Sequence, residues 1–81
     1  MNSTTAVRIL LVLMAAGVAL ELIHPGKCEV EVPVLRPRDA ANRYPDLVVL
    51  RPEHLPLTQR RLTITRQMPP PRWVVEVVSP G

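Results

Sequence analysis

The hydrophobic and polar positions change their rhythm several times along this chain. From Ser3 to Ile23 there is no proline and one glycine, Gly17, and Ile9 to Leu20 carries apolar or small side chains without a charge. Ser3, Thr4 or Thr5 can cap the start, so a helix is predicted over about residues 4–23. It shows no polar stripe, which suits a core helix covered on most sides or a membrane-directed segment. His24-Pro25-Gly26 is expected to end it, the proline barring continuation and the glycine permitting a left-handed cap.

Beyond that point the period falls to two. Cys28, Val30, Val32 and Val34 alternate with Glu29, Glu31 and Pro33, predicting a half-exposed strand over about 28–35 with both glutamates on a solvated face. Pro33 makes it an edge or near-edge strand. Arg36 to Asn42 reads as a polar loop. A short apolar run, Leu47 to Leu50, follows Pro45-Asp46 and predicts a strand over about 46–50. Pro52 and Pro56 then break the chain, with Glu53 and His54 in an exposed turn. Leu62 to Thr65 is a short strand or an extended loop. Pro69-Pro70-Pro71 is a stiff spacer leading into Trp73-Val74-Val75-Glu76-Val77-Val78-Ser79, a predicted strand over about 73–79 whose valines suit a surface buried on both faces.

Composition narrows the picture. A chain of 81 residues holds one small domain, and with one Trp, one Tyr and no Phe its core must be valine and leucine. The ten prolines cut it into short elements. The formal charge is +3, and all but one of the ten basic residues are arginine, spread from Arg8 to Arg72; a mildly basic solvated surface accounts for them better than a nucleic-acid patch. Cys28 is single, which excludes an internal disulfide and the usual Cys/His zinc spacings. No Gly-rich phosphate loop and no Ser/His/Asp or Cys/His constellation is present.

The N-terminal run can also be read as an export signal, with Arg8 as its positive region and Gly17 and Ala19 as a small-x-small pair. Its uncharged length, however, falls short of the roughly 18–20 residues of a spanning helix, and Glu21 follows almost at once.

Two strand-like runs each carry one acid, Asp46 and Glu76. An ionised carboxylate within an apolar strand is costly unless a cation, a donor or a proton compensates it. If the two strands are neighbours, both carboxylates can project from one side and share a hard divalent ion. The alternative, equally open on spacing alone, is a turn contact for Asp46 and an arginine partner for Glu76.

The segments Arg43-Tyr44-Pro45-Asp46-Leu47-Val48-Val49-Leu50 and Met68-Pro69-Pro70-Pro71-Arg72-Trp73-Val74-Val75-Glu76-Val77-Val78-Ser79-Pro80 together resemble the core of the restriction-endonuclease family known as Uma-two. The resemblance covers roughly Thr4 to Gly81. It implies the PD-(D/E)xK nuclease fold: a helix, a mixed sheet bearing the acids, then a further helix and strand. The fold class expected is therefore α+β, a restriction-endonuclease-like core fragment with one N-terminal helix and three or four strands of a mixed sheet, stopping before the covering helix. Asp46 and Glu76 become the catalytic, metal-binding acids, with Mg2+ as the ion, Mn2+ as an alternative and DNA as the substrate. No small-molecule cofactor and no membrane contact are expected, the location is cytoplasmic, and an exposed sheet would invite self-association.

The departures from the pattern are specific. Val78 stands two places after Glu76, where the plain pattern has a lysine that orients water and steadies developing charge. The single lysine, Lys27, lies beside the first strand. The chain alone is accordingly expected not to cleave DNA. The competing reading is a small exported or membrane-tethered binding protein whose N-terminal helix is a targeting signal. A third is a module that completes its sheet with another chain by strand addition.

Overall fold

A computed structural model of the chain describes residues 3–78. The fold is α+β, as expected: among the described residues there are one α-helix and six short strands in two three-stranded sheets. The predicted tail of the last strand, at Ser79, lies outside the described residues.

Helix α1 spans Ser3–Ala15 and stops eight residues before the predicted end at Ile23. The reason is local. Gly17 takes a left-handed φ of +86°, its N–H bonds the Met14 carbonyl at 3.0 Å, and the Val18 N–H reaches back to the Leu13 carbonyl at 3.0 Å. This pair of bonds satisfies carbonyls that a helix end leaves open, and it needs a residue that adopts positive φ without strain. Leu13 and Val18, the two residues that the motif draws together, are both buried in the same cluster. A short 3-10 turn, Leu20–Leu22, follows.

The segment expected to end the helix instead forms strand β1, Ile23–Pro25. Strands β2, Glu29–Glu31, and β3, Asn42–Arg43, are followed by β4, Leu47–Val49, β5, Thr63–Ile64, and β6, Trp73–Val75. The first sheet has the order β1-β4-β6 and is antiparallel throughout, with Pro25 paired to Leu47 and Leu47 to Val75. Pro25 on β1 removes no needed donor, because β1 is an edge. The second sheet has the order β3-β2-β5 and is mixed: β2 runs antiparallel to β3 and parallel to β5.

Period-two alternation now explains two apolar clusters on the two sides of β4. Leu47 and Val49 point to the helix side, where they meet Leu13, Val18 and Ile23, with Ile9, Leu10 and Val75 packed at the margin. Val48 and Leu50 point to the other side, where Leu22, Cys28 and Ile64 close around them. Burial of each such side chain contributes about 1.5–3 kcal/mol. The strand buried on both faces is thus β4, whose residues through Leu50 are at most 1% exposed.

The expectation of double burial fails for β6. It is an edge strand, and Trp73 and Val74 are 44% and 48% exposed. A valine-rich run and a doubly buried strand look alike in sequence; only the position within the sheet separates them. No helix among the described residues is long and apolar enough to cross a membrane.

Candidate functional site

The two acids singled out from sequence flank neighbouring strands. Asp46 immediately precedes β4 and Glu76 immediately follows β6. The antiparallel register pairs Val48 with Val74 and Leu47 with Val75, so one further step sets Asp46 against Glu76. Residues opposed in an antiparallel ladder share a face of the sheet. The acids therefore stand at the same end of two adjacent strands, and the alternation of β4 puts them on the side away from α1.

Their environments differ. Asp46 is half-buried, and its Oδ2 accepts the Val77 backbone N–H at 2.6 Å. That bond holds the carboxyl below its ordinary value, so it is ionised at neutral pH. The same bond ties the residue after Glu76 to the residue before β4, extending the strand contact by side chain where the backbone ladder stops. The Asp46 carbonyl accepts the Gly26 N–H at 2.9 Å, which anchors the end of β1 to the same point. Glu76 does not lie inside an apolar strand as expected. It is exposed just past the end of β6, so the desolvation cost argued from its sequence neighbours does not arise.

A different carboxylate meets that description. Alternation alone puts Glu29 on a solvated strand face, yet it is only 7% exposed. Its Oε1 accepts the Thr63 hydroxyl at 2.9 Å and the Arg61 Nη2 at 3.0 Å, and its Oε2 accepts the Asn42 Nδ2 at 3.0 Å and the Tyr44 hydroxyl at 3.1 Å. The Thr63 hydroxyl bond is foremost in holding the Glu29 carboxyl below its ordinary value, with the Tyr44, Arg61 and Asn42 contacts acting in the same direction. The reciprocal bond raises the Tyr44 phenol. With its oxygens taken by four donors, Glu29 is a clamp on the outer face of the second sheet and not an open ligand.

His54 corrects a second expectation. Its sequence neighbours suggest an exposed turn, yet it is fully buried within the short 3-10 turn Pro52–His54. Its Nδ1 accepts the Arg51 N–H at 2.9 Å, which leaves Nε2 to donate to the Pro69 carbonyl at 2.7 Å. Arg51 Nε donates to the Pro70 carbonyl at 2.9 Å. Together they moor the polyproline spacer ahead of β6, and so position the strand that Glu76 follows.

Asp46 and Glu76 offer hard carboxylate oxygens, the donor chemistry that magnesium or manganese takes. Among the described residues no group of three or more His, Cys, Asp or Glu side chains is gathered around a common point. An ion held by this pair would complete its coordination with water or with substrate oxygens.

No curated protein and no solved structure matches the chain. The model of one family, Uma2, described as "Putative restriction endonuclease", matches residues 3–81. A match over nearly the whole length, on an α+β fold with the Pro-Asp and Glu-Val-Val elements at one end of paired strands, shows that the chain belongs to the Uma2 family.

Proposed function

We propose that this chain carries the acid pair of a divalent-metal-dependent DNA endonuclease, with Asp46 and Glu76 holding magnesium or manganese. The observation that supports this most is the β4–β6 register, which brings the two acids to the same end and face of adjacent strands. Asp46 is kept ionised by the Val77 N–H, and Glu76 is exposed to an incoming ligand. A bound ion there would polarise a phosphodiester and lower the pKa of an attacking water. The family description supports nuclease chemistry and, through it, a DNA substrate.

Val78, where the plain pattern would place a lysine, brings no ammonium to the acids. The chain alone should therefore take up metal without robust nicking of DNA. Leu13 packs against Ile23, Leu47 and Val49, which supports α1 as part of the fold, while Val7, Leu11, Val12 and Met14 on the same helix are exposed.

Titration calorimetry with Mn2+ tests the reading. One ion per chain is expected, with affinity falling by on the order of tenfold or more in Asp46→Asn and in Glu76→Gln. Binding that neither substitution weakens, or no binding at all, would overturn the acid-pair assignment. Strong metal-dependent nicking of plasmid DNA, abolished by Glu76→Ala, would overturn the claim of inactivity alone.

A further inference from the structure

Burial does little to fix where β6 sits along β4. Val75 packs at the margin of the helix-side cluster, opposite Leu47, while Trp73, Val74 and Val77 are exposed. A slip of one residue would set Val74 against Leu47, one valine for another, with almost no loss of apolar contact. The same slip would turn every side chain of the strand to the opposite face. Glu76 would then point to the α1 side, away from Asp46. The valine pattern by itself does not select the register that pairs the acids.

The selection comes from the other end of the strand. Pro69, Pro70 and Pro71 have no N–H to give to a ladder, and a polyproline segment is stiff, rising about 3.1 Å per residue. Where its carbonyls are fixed, the start of β6 is fixed with little slack. His54 Nε2 holds the Pro69 carbonyl at 2.7 Å, and Arg51 Nε holds the Pro70 carbonyl at 2.9 Å. Both donors sit on the segment that continues β4 into the turn Pro52–His54. His54 is fully buried and its Nδ1 is fastened by the Arg51 N–H, so its donor is aimed in one direction. We propose that His54 is a positioning residue of the acid pair: through Pro69 it sets the register of β6 on β4 and so keeps Glu76 on the face of Asp46. This rests on the acid-pair reading.

Two substitutions divide the roles of the ring. Gln carries an amide donor toward Pro69 but gives up the acceptor for the Arg51 N–H; Asn keeps that acceptor and does not reach Pro69. With the register set through Pro69, His54→Gln should bind Mn2+ nearly as the native chain does. His54→Asn should bind it several-fold more weakly, short of the loss in Glu76→Gln. The emission of Trp73, the single tryptophan and the first residue of β6, should shift in His54→Asn alone, with no metal present. A residue that merely closed its own turn would give the reverse order. That order, or equal losses in both variants, would overturn the proposal. Insertion of one alanine after Arg72 tests the same point with the buried ring untouched. A strand held from the His54 end should then carry Glu76 off the face of Asp46 and lose the ion, and retained Mn2+ affinity would overturn the proposal. If Mn2+ binding depends on Glu76 but His54→Asn binds as tightly as the native chain, the His54 assignment falls alone. If the native chain binds no Mn2+, or Glu76→Gln does nothing, the acid-pair reading falls and the positioning role with it.

Discussion

Glu29 and the Asp46–Glu76 pair are the same functional group in opposite surroundings. Glu29 sits on a strand of the second sheet, is buried, and is bonded by Asn42, Tyr44, Arg61 and Thr63. Asp46 and Glu76 sit at strand ends in the first sheet; Asp46 is half-buried and accepts the Val77 N–H, while Glu76 is exposed. A carboxylate saturated by protein donors holds segments together and has nothing left to offer a ligand. One at a strand end, within reach of solvent, can turn an oxygen toward an ion. Burial and saturation by donors mark Glu29 as a structural acid, which its place in the sequence pattern did not.

Glu29 is the most direct place to break this contrast. Glu29→Ala would leave Asn42, Tyr44, Arg61 and Thr63 without their shared acceptor, and it should lower the thermal midpoint more than a substitution at Asp46, Glu76 or Gly17. Mn2+ binding, measured below that midpoint, should be retained. An unchanged midpoint would show the clamp to be idle.

Acid sensitivity sharpens the same contrast. The folded Glu29 carboxyl lies below its ordinary value, so the folded chain binds that proton less readily than the unfolded chain does. Its stabilisation is complete above the unfolded pKa of about 4.3 and is lost as pH falls through the folded value. Urea midpoints measured from pH 7 to pH 3 should drop for the native chain and drop less for Glu29→Gln, with Asp46, shifted in the same direction, supplying part of the remaining slope. Parallel curves for the two proteins would contradict this.

A smaller effect is expected at the helix end. Gly17→Ala forces a side chain into left-handed backbone and should cost about 1 kcal/mol, a midpoint shift of about 4–8 °C. Glu76→Gln lies at the bottom of the stability scale: it should leave the midpoint essentially unmoved while weakening metal binding. Loss of stability there would mean that Glu76 has a structural role like that of Glu29. Cys28 supplies a control for native burial. Desolvation, with the Glu29 charge adding to it, pushes its thiol up to about 11, so it should resist thiol reagents at pH 8 until urea unfolds the chain.

What could be read from the sequence, and what could not, follows from the range of the interactions. The apolar runs at Leu47–Leu50 and Trp73–Val75 announced strands, and the α+β class came with them. The helix end could also have been read: Gly17 is a strong stop signal, but the apolar residues Leu20, Leu22 and Ile23 beyond it mimic a continuing helix, while Leu22 and Ile23 in fact feed the two clusters. Alternation put Glu29 on the face opposite Cys28 and Val30, and it did not reveal what covers that face. The cover comes from residues 13 to 34 positions away, and no local pattern carries that information. His54 failed for the same reason, since its burial depends on Pro69, fifteen residues on.

The central place of β4 has a kinetic consequence. Its partners lie on either side of it in the chain, β1 some 24 residues before and β6 some 26 after, and neither is joined to it by a tight hairpin. Each pairing must close a sizeable loop before it returns any contact energy, a topology that slows folding. Docking of β6 on β4 is the step that brings Asp46 and Glu76 to one end of the sheet, so any stage of folding at which only β1 and β4 have paired leaves the outer edge of β4 uncovered and the two acids apart.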